Sequence, residues 1–239
     1  MSEPRSPTEL WAAEYQAGGV PSSVRIAPSG AVVWAVGALQ RRNFPLRIAV
    51  DVGCGRGRNS LFLAAMGLRV TALDFTANAI AALTQEAKKR RLDDKIRAVV
   101  HDVVEPWPIG GQDVDLVIDT FCFKHITQRE WRQGYKQHLL DVLSVRGHYL
   151  ISFASVGDGY YGRYTQPTDV ASGAAMVVDP VNGIPSVLFS REAIVKFFAP
   201  ELVLLDELKN NKPVVIHGAT YERETYALLF RRSPRHFVS

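Results

Sequence analysis

The feature that most restricts what this chain can fold into is an apolar run that breaks on three alternating glycines. A second apolar run then follows and ends in an acid. The segment reads Ala49-Val-Asp-Val-Gly-Cys-Gly-Arg-Gly-Arg-Asn59, followed by Val70-Thr-Ala-Leu-Asp74. Glycine lets the backbone approach a ligand closely and adopt conformations that a Cβ forbids. The helix that follows presents its unpaired N–H groups at the same place. Asp74 stands about twenty positions after Gly53, at the expected tip of the next strand, where a carboxylate can accept hydrogen bonds from both hydroxyls of a ribose. A nucleoside-bearing ligand is the expectation.

The spacing decides which nucleoside. Dinucleotide sites place a pyrophosphate over G-x-G-x-x-G at a helix N-terminus. Here the pattern is Asp51-x-Gly53-x-Gly55-x-Gly57, with a carboxylate just ahead of the glycines. An acid there repels a phosphate but accepts hydrogen bonds from an ammonium, which suits S-adenosylmethionine. Asp51-Val-Gly-Cys-Gly-Arg-Gly57 resembles motif I of the class I S-adenosylmethionine-dependent methyltransferases, and the order and spacing of elements extends the resemblance over about residues 30 to 232. The subtype it most resembles is the small-molecule, thiopurine and tellurite-resistance type.

The resemblance implies a cofactor set of Asp51, Gly53, Cys54, Gly55, Asn59, Asp74, Phe75, Asp102, Val103, Asp119 and Thr120. In it Asp74 takes the ribose, Asp102 the adenine amino group, and Val103 offers its backbone to the adenine ring. The fourth strand, Val114-Asp-Leu-Val-Ile-Asp-Thr120, ends where the family holds the methionine portion. Each signal has a structural alternative. The glycines can serve only a strand-to-helix turn, Asp74 and Asp102 can be exposed strand-end acids, and Cys54 is expected as a small buried hydrophobe.

Apolar runs alternate with helical patterns along the chain, as in a mainly parallel sheet covered by helices on both faces. Strands are expected near 46–52, 69–74, 96–101, 114–119 and 147–153, and helices near 57–66, 76–91 and 127–144, with Thr76 as an N-cap. Residues 190–198 read as a serine-capped helix. Strand-like segments at 201–208 and 221–231, joined by a long loop, resemble the antiparallel end of the methyltransferase sheet. The expected fold is therefore α/β and Rossmann-like, with seven strands, mainly parallel, and an antiparallel C-terminal pair. Residues 1–45 form an N-terminal lid and helix region, 46–232 the cofactor-binding domain with a substrate insertion at 154–189, and 233–239 a tail.

With 239 residues, 47% of them hydrophobic, the chain can bury the core of a single domain. Its first ten residues are polar and no apolar run reaches transmembrane length, so no membrane association and a cytoplasmic location are expected. Cys54 and Cys122 show no metal spacing and are too few for a disulfide framework. The net charge of +4 is mild. Its clusters, residues 88–91 late in a helix and Arg231, Arg232 and Arg235 near the end, need no nucleic acid to explain them, and no DNA or RNA partner is expected. The protein is expected as a monomer or homodimer acting on a small molecule.

Specificity is expected outside the shared scaffold. Trp11, Tyr15 and Arg25 are the ligand candidates of the N-terminal lid, with docking of its helix to the body as their alternative role. In the insertion, Tyr160, Tyr161 and Tyr164 are candidates for an aromatic wall that attracts a cation. The connection 210–220, with Lys212 and His217, borders the same mouth. The expected reaction centre is Asp119-Thr-Phe-Cys-Phe-Lys-His125, with Phe121 and Phe123 lining the pocket. Asp119 and His125, with Tyr160 and Tyr164, are the catalytic candidates, able to orient an amine or take its proton. The alternative for His125 is a hydrogen bond to backbone.

No metal-ligand cluster is visible, and methyl transfer to a small polar metabolite is the expected reaction. Intramolecular cleavage of S-adenosylmethionine to azetidine-2-carboxylate and methylthioadenosine stays open as a second reading, and non-catalytic binding as a third.

Overall fold

The computed structural model of the protein describes residues 6–18, 25–166 and 173–233. Residues 1–5 and 19–24 of the expected lid, 167–172 of the expected insertion and 234–239 of the expected tail, with Arg235, lie outside them.

Two helices precede the sheet. In α1 (Pro7–Ala17), Ser6 and Glu9 form a reciprocal capping box and proline sits at the first turn, where no N–H is missed. Helix α2 (Gly30–Arg41) is apolar along one side and buries Val32, Ala35, Val36 and Leu39. The alternating part follows as β1 (Ile48–Val52), α3 (Arg58–Ala65), β2 (Arg69–Asp74), α4 (Ala77–Lys89), β3 (Ile96–Val100), β4 (Val114–Thr120), α5 (Arg129–Val142) and β5 (Leu143–Ala154). A hairpin of β6 (Ala174–Val178) and β7 (Pro185–Phe189), then α6 (Arg191–Phe198), lead into the last pair, β8 (Leu202–Ile216) and β9 (Ala219–Arg232).

The main sheet has seven strands in the order β3-β2-β1-β4-β5-β9-β8. Strands β1 to β5 are parallel, whereas β9 pairs antiparallel with both β5 and β8. Strand β1 is buried at every position but its first, because helices cover both faces and leave no room for a polar alternation. On one face Val36 and Leu39 of α2 and Leu63 of α3 pack on Leu116, Ile118 and Leu150. On the other, Tyr135 and Leu139 of α5 and Phe198 of α6 pack on Val117, Tyr149 and Phe230. The register sets Val52 beside Leu73 and Asp119, and Asp74 beside Val100, so the strands all end along one edge. Strand order reverses between β1 and β4, and a crevice opens at such a switch point outside the strand ends.

Three local expectations are corrected. Thr76 holds the N-cap position of α4 but its hydroxyl makes no capping bond; the backbone N–H of Thr76 instead donates to Asp74 Oδ1 at 2.8 Å. The described residues of the insertion carry a 3-10 turn (Tyr161–Tyr164) and the β6–β7 hairpin, so it holds regular structure of its own. The long connection at 210–220 is a continuous hairpin, since β8 and β9 pair down to Ile216 and Ala219. His217 and Gly218 both have positive φ, 47° and 79°, as a two-residue type I′ turn requires. The polar run Lys209-Asn-Asn-Lys212 conceals a strand because most of its side chains stay in solvent, so no apolar alternation marks it.

Candidate functional site

A cleft of about 890 Å³ opens at the C-terminal edge of the parallel strands. Its floor is the turn after β1. Gly53, Gly55 and Gly57 all have positive φ, and a Cβ on Gly53 would lie 2.6 Å from the Cβ of Cys122. A Cβ on Gly57 would lie 2.1 Å from Leu83 Cδ1, so this turn is tied to α4 by close packing as well as by backbone conformation. Cys54 is buried and packs with Leu61, Ala72 and Leu83, as expected of a small hydrophobe.

Asp74 closes one side of the cleft and is buried. Its Oδ2 accepts from Gly55 N–H at 2.9 Å, and its Oδ1 from Thr76 N–H at 2.8 Å. Burial raises its pKa, against these two amides and Tyr15, which favour the ionised form. The Tyr15 hydroxyl, on α1, donates to Asp74 Oδ2 at a long 3.4 Å. Helix α1 roofs the cleft: Arg56 donates to the Tyr15 carbonyl on the strand-edge side, and Asn182 of the β6–β7 hairpin to Glu14 Oε2 at 3.0 Å on the other. Phe75, Asp102 and Val103 line the continuation of the cleft beyond β2 and β3. Asn59 and Thr120 line it at the β1–β4 switch, where Asn59 Nδ2 donates to Thr120 Oγ1 at 3.0 Å and Asn59 Oδ1 accepts from Ser29 N–H at 2.8 Å.

After β4 the chain makes a strained turn, with Phe121 at φ 71°, then a 3-10 turn (Phe123–His125). Asp119 holds that geometry. Its Oδ1 accepts from Cys122 N–H at 2.8 Å, and its Oδ2 from Phe123 N–H at 3.0 Å and the Tyr135 hydroxyl at 2.8 Å. The Asp119 carboxyl is wholly buried and absent from the cleft wall, and burial pushes its pKa up to about 7. The expectation of a proton-handling or cofactor-touching Asp119 is therefore corrected: its acceptors are spent on the turn. Phe123 likewise points into the core, against Tyr135 and Phe198, and does not line this cleft. Asp51 lies beneath the glycine turn, where its Oδ2 accepts from Ser60 Oγ at 2.6 Å. Its Oδ1 is buried with no hydrogen-bond partner among the described residues, and burial pushes its pKa up to about 7.

His125 does face the cleft. Its Nδ1 lies 2.9 Å from the Pro185 carbonyl, and a carbonyl only accepts, so Nδ1 carries the proton and Nε2 is left as an acceptor. Burial, with the neighbouring Lys124, holds its imidazole well below the usual histidine range. Trp11 meets its ring edge-on, with centroids 4.9 Å apart. The bond to backbone that was the alternative role is present together with a cavity-facing ring.

A second chamber of about 630 Å³ adjoins the first, and Trp11, Arg25, Phe121 and His125 line both. Tyr161 alone of the three insertion tyrosines reaches it. Tyr160 is buried and donates to Asp179 Oδ1 at 3.0 Å; His217 approaches Asp179 Oδ2 at 3.2 Å; Tyr164 stacks edge-on to Tyr160 at the surface. Neither pocket is lined by Tyr160, Tyr164 or His217. These three belong to the packing of the insertion on the β8–β9 hairpin, and their expected catalytic or substrate roles are corrected accordingly. Sequence reasoning missed Arg58, Lys124 and Arg223, which line the second chamber. A lysine directly after Phe121-Cys-Phe123 was a visible signal, since ammonium groups rarely sit in apolar surroundings without a purpose. Nothing local marks Arg223, which reaches the chamber only through hairpin pairing.

No helix among the described residues is long and apolar enough to cross a membrane. Residues 49–147 match a family described as a methyltransferase domain. TehB of Haemophilus influenzae, a probable S-adenosyl-L-methionine-dependent methyltransferase, is 30% identical over 109 residues, which are 46% of this chain and 36% of the relative. The chain thus spans about a third of the length of the curated relatives it matches. Among solved structures, the 1,6-didemethyltoxoflavin-N1-methyltransferase of Burkholderia thailandensis, bound to 1,6-didemethyltoxoflavin and S-adenosylhomocysteine, covers 98% of this chain and 93% of its own with TM-score 0.69 and 17% identity. The N-methyltransferase NodS of Bradyrhizobium japonicum, bound to S-adenosylhomocysteine, covers 95% and 99% with TM-score 0.67 and 12% identity. The fold is shared with both. The glycine motif lies inside the stretch that matches a methyltransferase domain, and the chain shares the fold of S-adenosylmethionine-dependent methyltransferases.

Proposed function

We propose that the protein binds S-adenosylmethionine in the larger cleft and transfers its methyl group to a small polar metabolite held in the second chamber. The observation that carries this reading is the junction of the two cavities at the end of β4. Thr120, Phe121 and Cys122 line the cofactor cleft there, and Phe121 and His125 also face the second chamber. Intramolecular cleavage needs no acceptor space, so a second chamber beside that end favours transfer.

The residues fit the cofactor. Asp74 stands at the end of β2 with one acceptor position of Oδ1 unclaimed, and Tyr15 is a long, displaceable donor on its Oδ2. Asp102 and the Val103 backbone lie where an adenine edge would lie in this fold. Asp51 Oδ1, buried and unpartnered beneath the glycine turn and absent from the cleft wall, suits an ammonium reached through water rather than directly. Bound S-adenosylmethionine supplies an electrophilic methyl group on a sulfonium. The protein's own share is alignment of the nucleophile with the methyl–sulfur bond, exclusion of water under α1, and placement of a proton acceptor. His125 serves the last task through Nε2, orienting an O–H or N–H; with so low a pKa it acts as a neutral acceptor and takes no more than a transient proton.

The test is mass spectrometry of the purified protein with S-adenosylmethionine alone and then with panels of small amines, thiols, hydroxy compounds and acids. S-adenosylhomocysteine formed only with an acceptor supports transfer. Methylthioadenosine with azetidine-2-carboxylate, formed without acceptor, refutes transfer in favour of cyclisation. Binding of S-adenosylhomocysteine with no turnover on any panel leaves the non-catalytic reading standing.

A further inference from the structure

Chain-wide, lysine and arginine number 28 against 24 aspartates and glutamates, so a wall drawn at random would mix the two signs. The wall of the second chamber does not. Arg25, Arg58, Lys124, Lys212 and Arg223 line it, and no Asp or Glu does among the described residues. Five cations around a cavity with no lining carboxylate is an arrangement that folding alone does not favour, because like charges repel and because Lys124, the buried one, gives up its water; Arg25 and Lys212 stand at the exposed rim.

Lys124 makes the point most sharply. It is only 4% exposed, yet it forms no ion pair among the described residues. Its Nζ donates to Ser186 Oγ at 3.3 Å and lies 4.2 Å from the centre of the Tyr161 ring. Arg223 shares the space: Asp158 engages its Nε, and its guanidinium carbon lies 5.2 Å from the same ring on the way to the chamber. Arg25 and Arg58 line both cavities, whereas Lys124, Lys212 and Arg223 line only the second. The first two are placed for the cofactor's own carboxylate; the other three lie beyond it. The apolar side chains of Trp11, Phe121 and Ile184 line both cavities as well.

We infer that the methyl acceptor is a small organic oxyanion, a carboxylate or phosphate ester, whose charged group sits among Lys124, Lys212 and Arg223 while its nucleophilic atom reaches the cofactor cleft past Phe121 and His125. This rests on the proposed binding of S-adenosylmethionine in the larger cleft. The electrostatics of Lys124 add a signature. Burial, with Arg223, pushes its ammonium down to about 7, against Asp158 and Asp179, which favour the charge. The titratable neighbours do not take that proton, since His125 is itself held neutral and burial pushes the Tyr161 phenol up. An arriving anion restores the ammonium, so at pH 8 binding takes up a proton.

The experiment is calorimetry on the full chain saturated with S-adenosylhomocysteine, titrated at pH 8 with benzoate, phenyl phosphate and the neutral benzamide, in two buffers of different ionisation enthalpy. The expected result is binding of at least one of the two anions tenfold or more tighter than benzamide, with proton uptake. Which anion binds tighter distinguishes a carboxylate from a phosphate acceptor. Lys124→Met should weaken that anion at least tenfold, abolish the proton uptake, and leave S-adenosylhomocysteine affinity within twofold. Lys212→Met, on an exposed hairpin, should weaken the anion about threefold even if the buried substitution fails to fold. Equal binding of anions and benzamide overturns the inference. So does a loss of S-adenosylhomocysteine affinity in Lys124→Met with the anion unaffected, which would assign these cations to the cofactor. Failure of S-adenosylhomocysteine itself to bind the wild-type chain refutes the underlying cofactor reading, and the acceptor assignment falls with it.

Discussion

Replacing Asp119 with asparagine separates a carboxyl that holds the fold from one that handles protons. In the folded protein its pKa is pushed up from 3.8 to about 7 by burial, although Tyr135, Cys122 and Phe123 all donate to it. The folded state therefore binds the proton more tightly than the unfolded chain. The stability this contributes is fully present below about pH 4 and is lost as pH rises through 7. Between pH 5 and pH 8 the loss spans about two pKa units, or roughly 3 kcal/mol. Asparagine does not titrate and loses nothing in that window.

At pH 5 the variant should be weaker than wild type by about 1 kcal/mol, because Tyr135 must redirect its hydroxyl toward Tyr149, 3.2 Å away. At pH 8 the order should reverse. Urea denaturation followed by circular dichroism at both pH values reads this directly. With a slope near 3 kcal/mol/M, the wild-type midpoint should fall by about 1 M more than that of the variant. Parallel pH dependence of the two proteins would refute the reasoning. A variant with wild-type stability at both pH values but no turnover would show that the carboxyl acts in the chemistry after all.

Gly57→Ala places a Cβ at a φ of 79° and within 2.1 Å of Leu83 Cδ1, so it should destabilise the fold by about 2–4 kcal/mol, seen as a lower denaturation midpoint. Asp74→Asn keeps an acceptor for Thr76 N–H but removes the charge facing the cleft; S-adenosylhomocysteine affinity measured by calorimetry should fall about 10- to 100-fold. Tyr160→Phe removes a buried donor to Asp179 far from the cleft and should cost about 1 kcal/mol of stability with unchanged cofactor affinity. If cofactor affinity fell instead, the insertion would be coupled to the cleft. His125→Gln, which keeps a hydrogen-bonding side chain but removes the imidazole Nε2, should lower kcat about tenfold or more. At saturating substrates the wild-type kcat should show no rise near pH 6.5, since the imidazole is neutral throughout, and such a rise would contradict that state; kcat/KM for an anionic acceptor should instead fall above pH 7 as Lys124 loses its proton.

The half of the site proposed for the cofactor is local in sequence. Gly53, Gly55, Asp74 and Asp102 follow the ends of consecutive parallel strands, and parallel strands joined by right-handed crossovers bring those ends to one edge whatever else the chain does. A short-range pattern of apolar runs, glycines and terminal acids therefore suffices to locate the cleft. The half proposed for the acceptor is not local. Lys124, Lys212 and Arg223 come from the turn after β4 and from both strands of the last hairpin, and they meet only because β9 pairs antiparallel with both β5 and β8. The direction of a side chain also lay beyond the sequence. Asp119 and Phe123 sit in the same short segment as Phe121 and His125, yet the first pair is buried in the core while the second faces the cavity, because the strand gives way there to a positive-φ residue and a 3-10 turn that break any simple alternation. The tyrosines of the insertion split in the same way, Tyr161 inward and Tyr160 onto Asp179, because hairpin packing rather than spacing sets which ring faces the chamber.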